Sequence, residues 1–160
     1  MIRVLHVLGL VLALTGCANL WPPSSASGEA AQERESRQVV ELIGYAQRVA
    51  GLGADEQQRE LNASSQIFSK DRGAYSRVRL ALVLSVPGTA FNDEPKAAGL
   101  LEPLVSKDAA GPMQQFAGLL HVQLAERMRE QRRATQLKEQ LDALKDVERK
   151  IIEREQARPR

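Results

Sequence analysis

Cysteine, histidine and aromatic residues are scarce in this sequence. It contains one cysteine, two histidines and 4% aromatic residues. A single cysteine excludes an intrachain disulfide, and so few thiol and imidazole groups leave no zinc site with the usual ligand spacing. His121 lies among leucines and valines, which favours a packing role over catalysis. We expect no metal site and no cofactor.

Sequence signatures of common enzyme sites are also missing. The segment "GLGADE" has two glycines without the lysine and serine that end a phosphate loop. Ser64 and Ser65 have no neighbouring base and no strand-turn-helix elbow. We therefore expect that the protein is not an enzyme and has no small-molecule substrate.

The charge of the chain is close to balanced. There are 22 basic and 20 acidic residues, a formal net charge of +2. Removal of an N-terminal segment that contains Arg3 would leave 21 basic residues against 20. Such a body has no strong positive field, so nucleic acid is not expected as a partner.

The first 16 residues have the pattern of an export signal. Arg3 is followed by the apolar run from Val4 to Leu14, which only His6 and Gly9 interrupt. This run has about 11 residues, whereas a membrane-spanning helix needs about 20. Residues 1–16 are therefore predicted to be a signal peptide that is removed.

The end of this run resembles a bacterial lipobox, namely Leu14, Thr15 and Gly16 followed by Cys17. The resemblance implies that Cys17 is acylated and becomes the mature N-terminus, so that lipid anchors the protein to a membrane. Ala18 lacks the aspartate that retains enteric lipoproteins in the inner membrane. The predicted location is thus the outer membrane, facing the periplasm. The alternative is an ordinary secretory signal followed by a free thiol.

A helical bundle is predicted for residues 34–111, after a flexible tether of residues 17–33 rich in proline, serine and alanine. Apolar residues recur at helical spacing in four segments. Gly53 or Asp55, Asp71, and Asn92 or Asp93 are the expected helix caps. The inward-facing positions outside the third segment are predicted to include Val39, Leu42, Ile43, Ala46, Val49, Leu61, Ile67, Phe68, Leu100, Leu101, Leu104 and Val105. The third segment, around Val78 to Leu84, is apolar on so many sides that we expect a central, buried helix.

One long helix is predicted for residues 112–156, with a disordered tail at 157–160. Between Met113 and Gln156 there is no proline and only one glycine. We expect its start to pack on the bundle through Phe116, Leu119, Leu120, Leu124 and Met128. Farther on, a heptad rhythm predicts a partner-binding surface formed by Leu137, Leu141, Leu144 and Ile151.

Three interpretations of this C-terminal stretch remain open. The apolar side chains contact a helix of another protein, or they form a homodimer through the C-terminal helix. The third alternative is a solvated helix supported by ion pairs, such as those of Glu139 with Lys138 and Lys145. The predicted fold is the same in each case. It is an all-α fold in which a small helix-hairpin bundle precedes a long helix of coiled-coil type.

The segments "RVRLALVLSVPGTAFNDEPKAAGLLEPLV" and "QLKEQLDALKDVERKIIERE" resemble the QseG-type outer-membrane lipoproteins, the quorum-sensing regulator protein G family also called YfhG. The resemblance covers most of the mature chain. It implies a tetratricopeptide-like helical body and a periplasmic contact with a two-component sensor histidine kinase. The implied function is modulation of that kinase by protein binding.

A scaffold role is the alternative function. An outer-membrane lipoprotein with a tetratricopeptide-like surface would help to place a secretin or a barrel complex. Its binding surface would then lie around Tyr45, Tyr75 and Arg79, and the C-terminal helix would act as a dimer strut.

Overall fold

The computed structural model describes residues 24–105 and 111–157, which form five α-helices, one 3₁₀ turn and no strand. This confirms the all-α fold class and the long C-terminal helix. The elements are α1 (Ser24–Ala50), α2 (Ala54–Lys70), α3 (Ala74–Leu84), α4 (Glu94–Leu101), the 3₁₀ turn (Glu102–Leu104) and α5 (Pro112–Gln156).

Helix α1 begins at Ser24, earlier than residue 34, where the helical bundle was predicted to begin. Residues 24–33, expected to belong to a flexible tether, are therefore helical. The reason is local, because this stretch is rich in Ala, Glu and Gln, which have high helix propensity, and contains no proline. From Gly28 to Arg34 the chain is exposed, and the Arg34 side chain donates a hydrogen bond of 3.1 Å to the Ala30 carbonyl within the helix. The remainder of the predicted tether and the predicted signal peptide lie outside the described residues.

The second half of α1 carries the buried face of that helix. Leu42, Tyr45 and Val49 are buried at three- and four-residue spacing, with Val39 and Ala46 partly buried beside them. Ile43 was expected to face inward but is 42% exposed. It lies about 100° around the helix from Leu42, which turns it away from the core.

The junction between α2 and α3 differs from the prediction for Asp71. Gly53 caps α2 as expected, and Asp55 and Glu56 lie in the first turn. Asp71, however, ends α2, and its carboxylate accepts a hydrogen bond of 2.9 Å from the Gly73 amide. Gly73 is the N-cap of α3. The Asp71 side chain thus forms a local turn between the helices instead of capping the second one.

Helix α3 is the central element, as predicted. It packs against both α2 and α4, and it also contacts α5. Its buried positions cover every side of the helix; they are Ser76, Val78, Leu80, Ala81, Leu82, Val83 and Leu84. Burial on all sides requires neighbours on all sides, so this short helix holds the bundle together.

Helix α4 starts and stops as its sequence predicts. The Asp93 carboxylate accepts a hydrogen bond of 2.9 Å from the Lys96 amide, and Pro95 occupies the first turn. Pro103 interrupts the backbone hydrogen bonding, so the α-helix ends at Leu101 and a 3₁₀ turn follows. Leu101 is fully buried, whereas Val105, which was expected to face the core, is 40% exposed after the turn.

Helix α5 is 45 residues long, about 67 Å. Met113, Ala117 and Leu124 are buried on the bundle side, and Phe116, Leu120 and Met128 are partly buried. The expectation that Leu119 packs inward is wrong, because it lies on the other side of the helix from Leu124. Every side chain from Arg129 to Ala157 is exposed. The packed part of α5 therefore ends near Met128, directly before the polar stretch "REQRRATQ".

Candidate functional site

The candidate binding surface is a row of apolar side chains on the exposed part of α5. We call these four residues the seam; they are Leu137, Leu141, Leu144 and Ile151. Between 51% and 67% of each side chain is accessible to solvent. The structure thus places all four predicted residues on one open face of a helix, while their contact with a partner stays a prediction.

The seam lies on the side of α5 that points away from the bundle. Leu137 follows Met128 by about two and a half helical turns, which puts the two side chains on opposite sides of the helix. Val147 and Ile152, also about half exposed, widen the apolar surface beside the seam. A partner helix can therefore approach the seam without displacing any side chain that packs on the bundle.

Ion pairs on α5 are exposed and local. Arg133 pairs with Glu130 at 2.7 Å and Arg149 with Asp146 at 3.5 Å, each over three residues of the same helix. Arg129 pairs with Glu126 in the same way. Exposed pairs of this kind contribute only about 0.2–0.5 kcal/mol each.

The ion pairs expected for a simply solvated helix differ from those observed. Within the described part of the chain, neither Lys138 nor Lys145 forms a salt bridge, and Glu139 forms none either. These two lysines flank the seam with their ammonium groups uncompensated. Same-helix pairing with Glu139 therefore does not account for the charges beside the apolar row.

A polar cluster joins the first three helices inside the bundle. The Tyr45 hydroxyl donates to Glu60 Oε2 at 2.9 Å and lies 2.9 Å from Ser64 Oγ. Arg79 donates to the same two groups, at 3.2 Å each, and its guanidinium stacks 3.9 Å from the centre of the Tyr45 ring. Tyr75 bonds separately to Glu41 at 3.0 Å. Each polar group of the cluster thus has a hydrogen-bond partner, and these bonds stabilise the packing of α1, α2 and α3.

This cluster changes the interpretation of Tyr45 and Arg79. Sequence reasoning placed them, with Tyr75, on a concave binding surface of the scaffold alternative. Tyr45 is 5% exposed and its hydroxyl is already bonded, while Arg79 is held by Glu60 and Ser64. Both residues thus have a packing role inside the bundle, while a binding surface in this region stays a prediction. Glu60 and Ser64 were missed because each lies 15 to 19 residues from its partners in sequence.

The cluster predicts a specific dependence of stability on pH. Burial raises the pKa of Tyr45 above 10.0, because desolvation disfavours the phenolate. The unfolded chain therefore releases this proton first, so the contribution is complete below pH 10 and is lost as the pH rises further. We expect the free energy of unfolding in urea to fall as the pH rises above about 10, and Tyr45→Phe to make that fall shallower.

Tyr45→Phe should also lower the free energy of unfolding by about 1 kcal/mol at pH 7, because it removes one hydroxyl from a hydrogen-bonded cluster. Tyr75→Phe is the matched control. Burial also raises the pKa of Tyr75, but that side chain is more exposed and contacts the cluster through Arg79, so its effect on the pH slope should be smaller. If the free energy of unfolding of Tyr45→Phe fell with pH as steeply as that of the unchanged protein, Tyr45 would not be the source of this pH dependence.

A second polar contact fixes the start of α4 against α5. Arg127 Nη2 lies 2.8 Å from Glu94 Oε1, and the Glu94 side chain is only 8% exposed. Arg127 also donates to the Ser85 carbonyl at 3.3 Å. Such a partner offsets the cost of burying the carboxylate group. This salt bridge thereby links the ends of α3 and α4 to the long helix.

Two open grooves flank the Glu94–Arg127 salt bridge. One, of about 650 Å³, lies between the Asn92–Pro95 turn and the Met128–Glu139 part of α5. The other, of about 470 Å³, is lined by the Pro87–Gly88 turn and by α5 residues from Gln123 to Gln131. Asp93 is used as a helix cap and Glu94 as a salt-bridge partner. Both carboxylates beside the grooves therefore have defined structural partners.

Neither a metal centre nor a membrane span is found among residues 24–105 and 111–157. No three His, Cys, Asp or Glu side chains there are grouped to hold an ion. None of the helices described combines the length and the apolarity needed to cross a bilayer. His121 is half-buried on α5. Cys17 and the lipobox residues Leu14, Thr15 and Gly16 lie outside the described residues.

Comparison of the chain with protein-family models, with characterised proteins and with solved structures finds no match. The residues and the geometry of the seam therefore carry the functional argument.

Proposed function

We propose that this protein is a lipid-anchored outer-membrane protein that binds the periplasmic region of a two-component sensor histidine kinase and modulates its signalling. The observation that carries the proposal is the exposed seam of α5. Four large apolar side chains in heptad spacing, turned away from the bundle, are typical of a helix that packs on another helix. The function is binding, with no catalytic step.

The dimensions of α5 suit a contact at a distance from the anchor. The exposed stretch beyond Met128 comprises residues 129–156, about 42 Å of helix. A bundle held to the outer membrane by acylated Cys17 would present this stretch to the periplasm. The resemblance of the sequence to the QseG-type lipoproteins supports a sensor kinase as the protein that it meets.

Affinity capture tests the identity of the partner. The full-length chain, tagged at its C-terminus and expressed in its own host, is crosslinked in intact cells and purified from membranes. We expect a membrane histidine kinase to be enriched, and phosphorylation of its response regulator to change when the gene is deleted. Enrichment of secretin or barrel-assembly components without a kinase would contradict the proposal and favour the scaffold role.

The lipid anchor makes a separate prediction. Cys17→Ser removes the only thiol in the chain, so acylation should be lost and the protein should move from the membrane fraction to the soluble periplasmic fraction. Incorporation of labelled palmitate and membrane fractionation measure the two effects.

Ala18→Asp is the control for this variant. It keeps the thiol, so palmitate should still be incorporated. The new aspartate introduces the retention signal of enteric lipoproteins and should shift the protein to the inner membrane. Membrane association of Cys17→Ser at the level of the unchanged protein would contradict lipid anchoring.

A further inference from the structure

The charges beside the seam are sorted by sign. With Leu137, Leu144 and Ile151 at heptad position d, Leu141 occupies position a. The flanking e and g positions from residue 133 onward are then Arg133, Lys138, Gln140, Lys145, Val147, Ile152 and Arg154. All seven are exposed and none is acidic. The two edges of the apolar row therefore carry only positive charge or none.

Most carboxylates of the same stretch lie on the outer side of the helix. Glu139, Asp142, Asp146 and Glu153 occupy the outward positions b and f. The salt bridge between Asp146 and Arg149 holds both of its charges on that outer side. Glu148 and Glu155 are acidic residues at position a, one and two heptads after Leu141. A partner therefore meets positive edges and two carboxylates within the row of a and d positions.

This arrangement opposes pairing with a second copy of the chain. In a parallel pair, g and e positions meet, so Arg133 would face Lys138 of the second copy, and two Glu148 side chains would meet inside the row. In an antiparallel pair, e meets e, which brings Lys138 close to Lys145 of the second copy. Like charges face one another in both arrangements, and both are thereby disfavoured.

We infer that the seam binds a helix of a different protein, one whose e and g positions carry aspartate or glutamate. This inference specifies the charge of the partner helix. It rests on the proposed function for the kind of partner, an α-helix in the periplasm. Acidic flanks would neutralise Lys138 and Lys145, which have no salt bridge within the described part of the chain. Charge at the edges then selects the partner and the apolar row supplies the binding energy.

Two designed peptides test this inference. Both are fluorescent helices of about four heptads with the same Leu and Ile residues at positions a and d; one has Glu at every e and g position, the other Lys. Binding to the full-length chain in detergent is measured by fluorescence anisotropy. We expect the acidic-flank peptide to bind about tenfold tighter or more at low salt. The preference should shrink in about 0.5 M salt, where exposed charges are screened.

Charge-reversal variants of the protein provide a second test of the inference. Lys138→Glu combined with Lys145→Glu should remove or invert the preference between the peptides. The matched control is Arg132→Glu with Lys150→Glu, which makes the same change in net charge away from the e and g positions and should leave the preference intact. Equal binding of the two peptides, tighter binding of the basic one, no binding of either at about 100 μM, or a stable homodimer through the seam would overturn the inference.

This test and the test of function fail separately. If a kinase is captured from membranes but Lys138→Glu with Lys145→Glu does not weaken that capture, the inference fails and the proposed function stands. If no kinase is captured while the acidic peptide is still preferred, the seam remains a site for an acidic helix and the proposed function fails.

Discussion

Replacing all four seam residues by serine is expected to abolish capture of the kinase while the bundle stays folded. Each large apolar side chain that a helix buries in an interface contributes about 1.5–3 kcal/mol. Loss of four such side chains should weaken binding by more than about 100-fold. Quantitative capture of the kinase from membranes measures the loss, and urea unfolding followed by circular dichroism measures the stability of the bundle.

The chain offers a matched control on the same helix. Leu119 and Val122 are also apolar and exposed on α5, but they lie before the seam. Changing both to serine should leave capture at the level of the unchanged protein. A companion variant with alanine at the seam positions separates lost contacts from lost helix, because alanine keeps helix propensity. Undiminished capture by the serine variant would contradict the assignment of the seam.

Leu124→Ala is expected to destabilise the protein by about 2–5 kcal/mol. Leu124 is fully buried where α5 packs on the bundle, and truncation leaves a cavity that close-packed neighbours fill only in part. A domain of this size has a total stability of about 5–15 kcal/mol, so the loss is a large fraction of it. The free energy of unfolding in urea is the measurement.

Leu119→Ala is the control for this prediction. It removes the same atoms from a side chain that is 60% exposed, so its effect should stay within about 0.5 kcal/mol. Similar losses for the two variants would mean that the start of α5 does not pack on the bundle through its Leu124 side.

Features set by a single stretch of sequence could be predicted. The extent of α5 follows from a run without proline between Pro112 and Gln156, and the end of α4 follows from Pro103. The central position of α3 follows from apolar residues on every side. Helical spacing also identified the seam as one face. In each case the local pattern and the tertiary structure agree.

Features that depend on how helices meet could not be predicted. Ser64 and Glu60 look like ordinary polar residues of an exposed helix, and only the packing of α2 on α1 and α3 brings them to Tyr45 and Arg79. The Glu94–Arg127 salt bridge spans more than 30 residues of chain for the same reason. The inward expectation for Leu119 was wrong because a leucine cluster does not itself indicate which leucine faces the core.

Site-resolved photocrosslinking in living cells tests whether the seam contacts a sensor kinase. A photoreactive residue replaces Lys138 or Lys145 beside the seam in one pair of variants, and Arg132 or Gln136 on the groove side of α5 in the other. We expect crosslinks to a membrane histidine kinase from the first pair and none from the second. Crosslinks to the kinase from the groove side alone, or crosslinks only to secretion components or to the protein itself, would show that the seam does not bind a kinase.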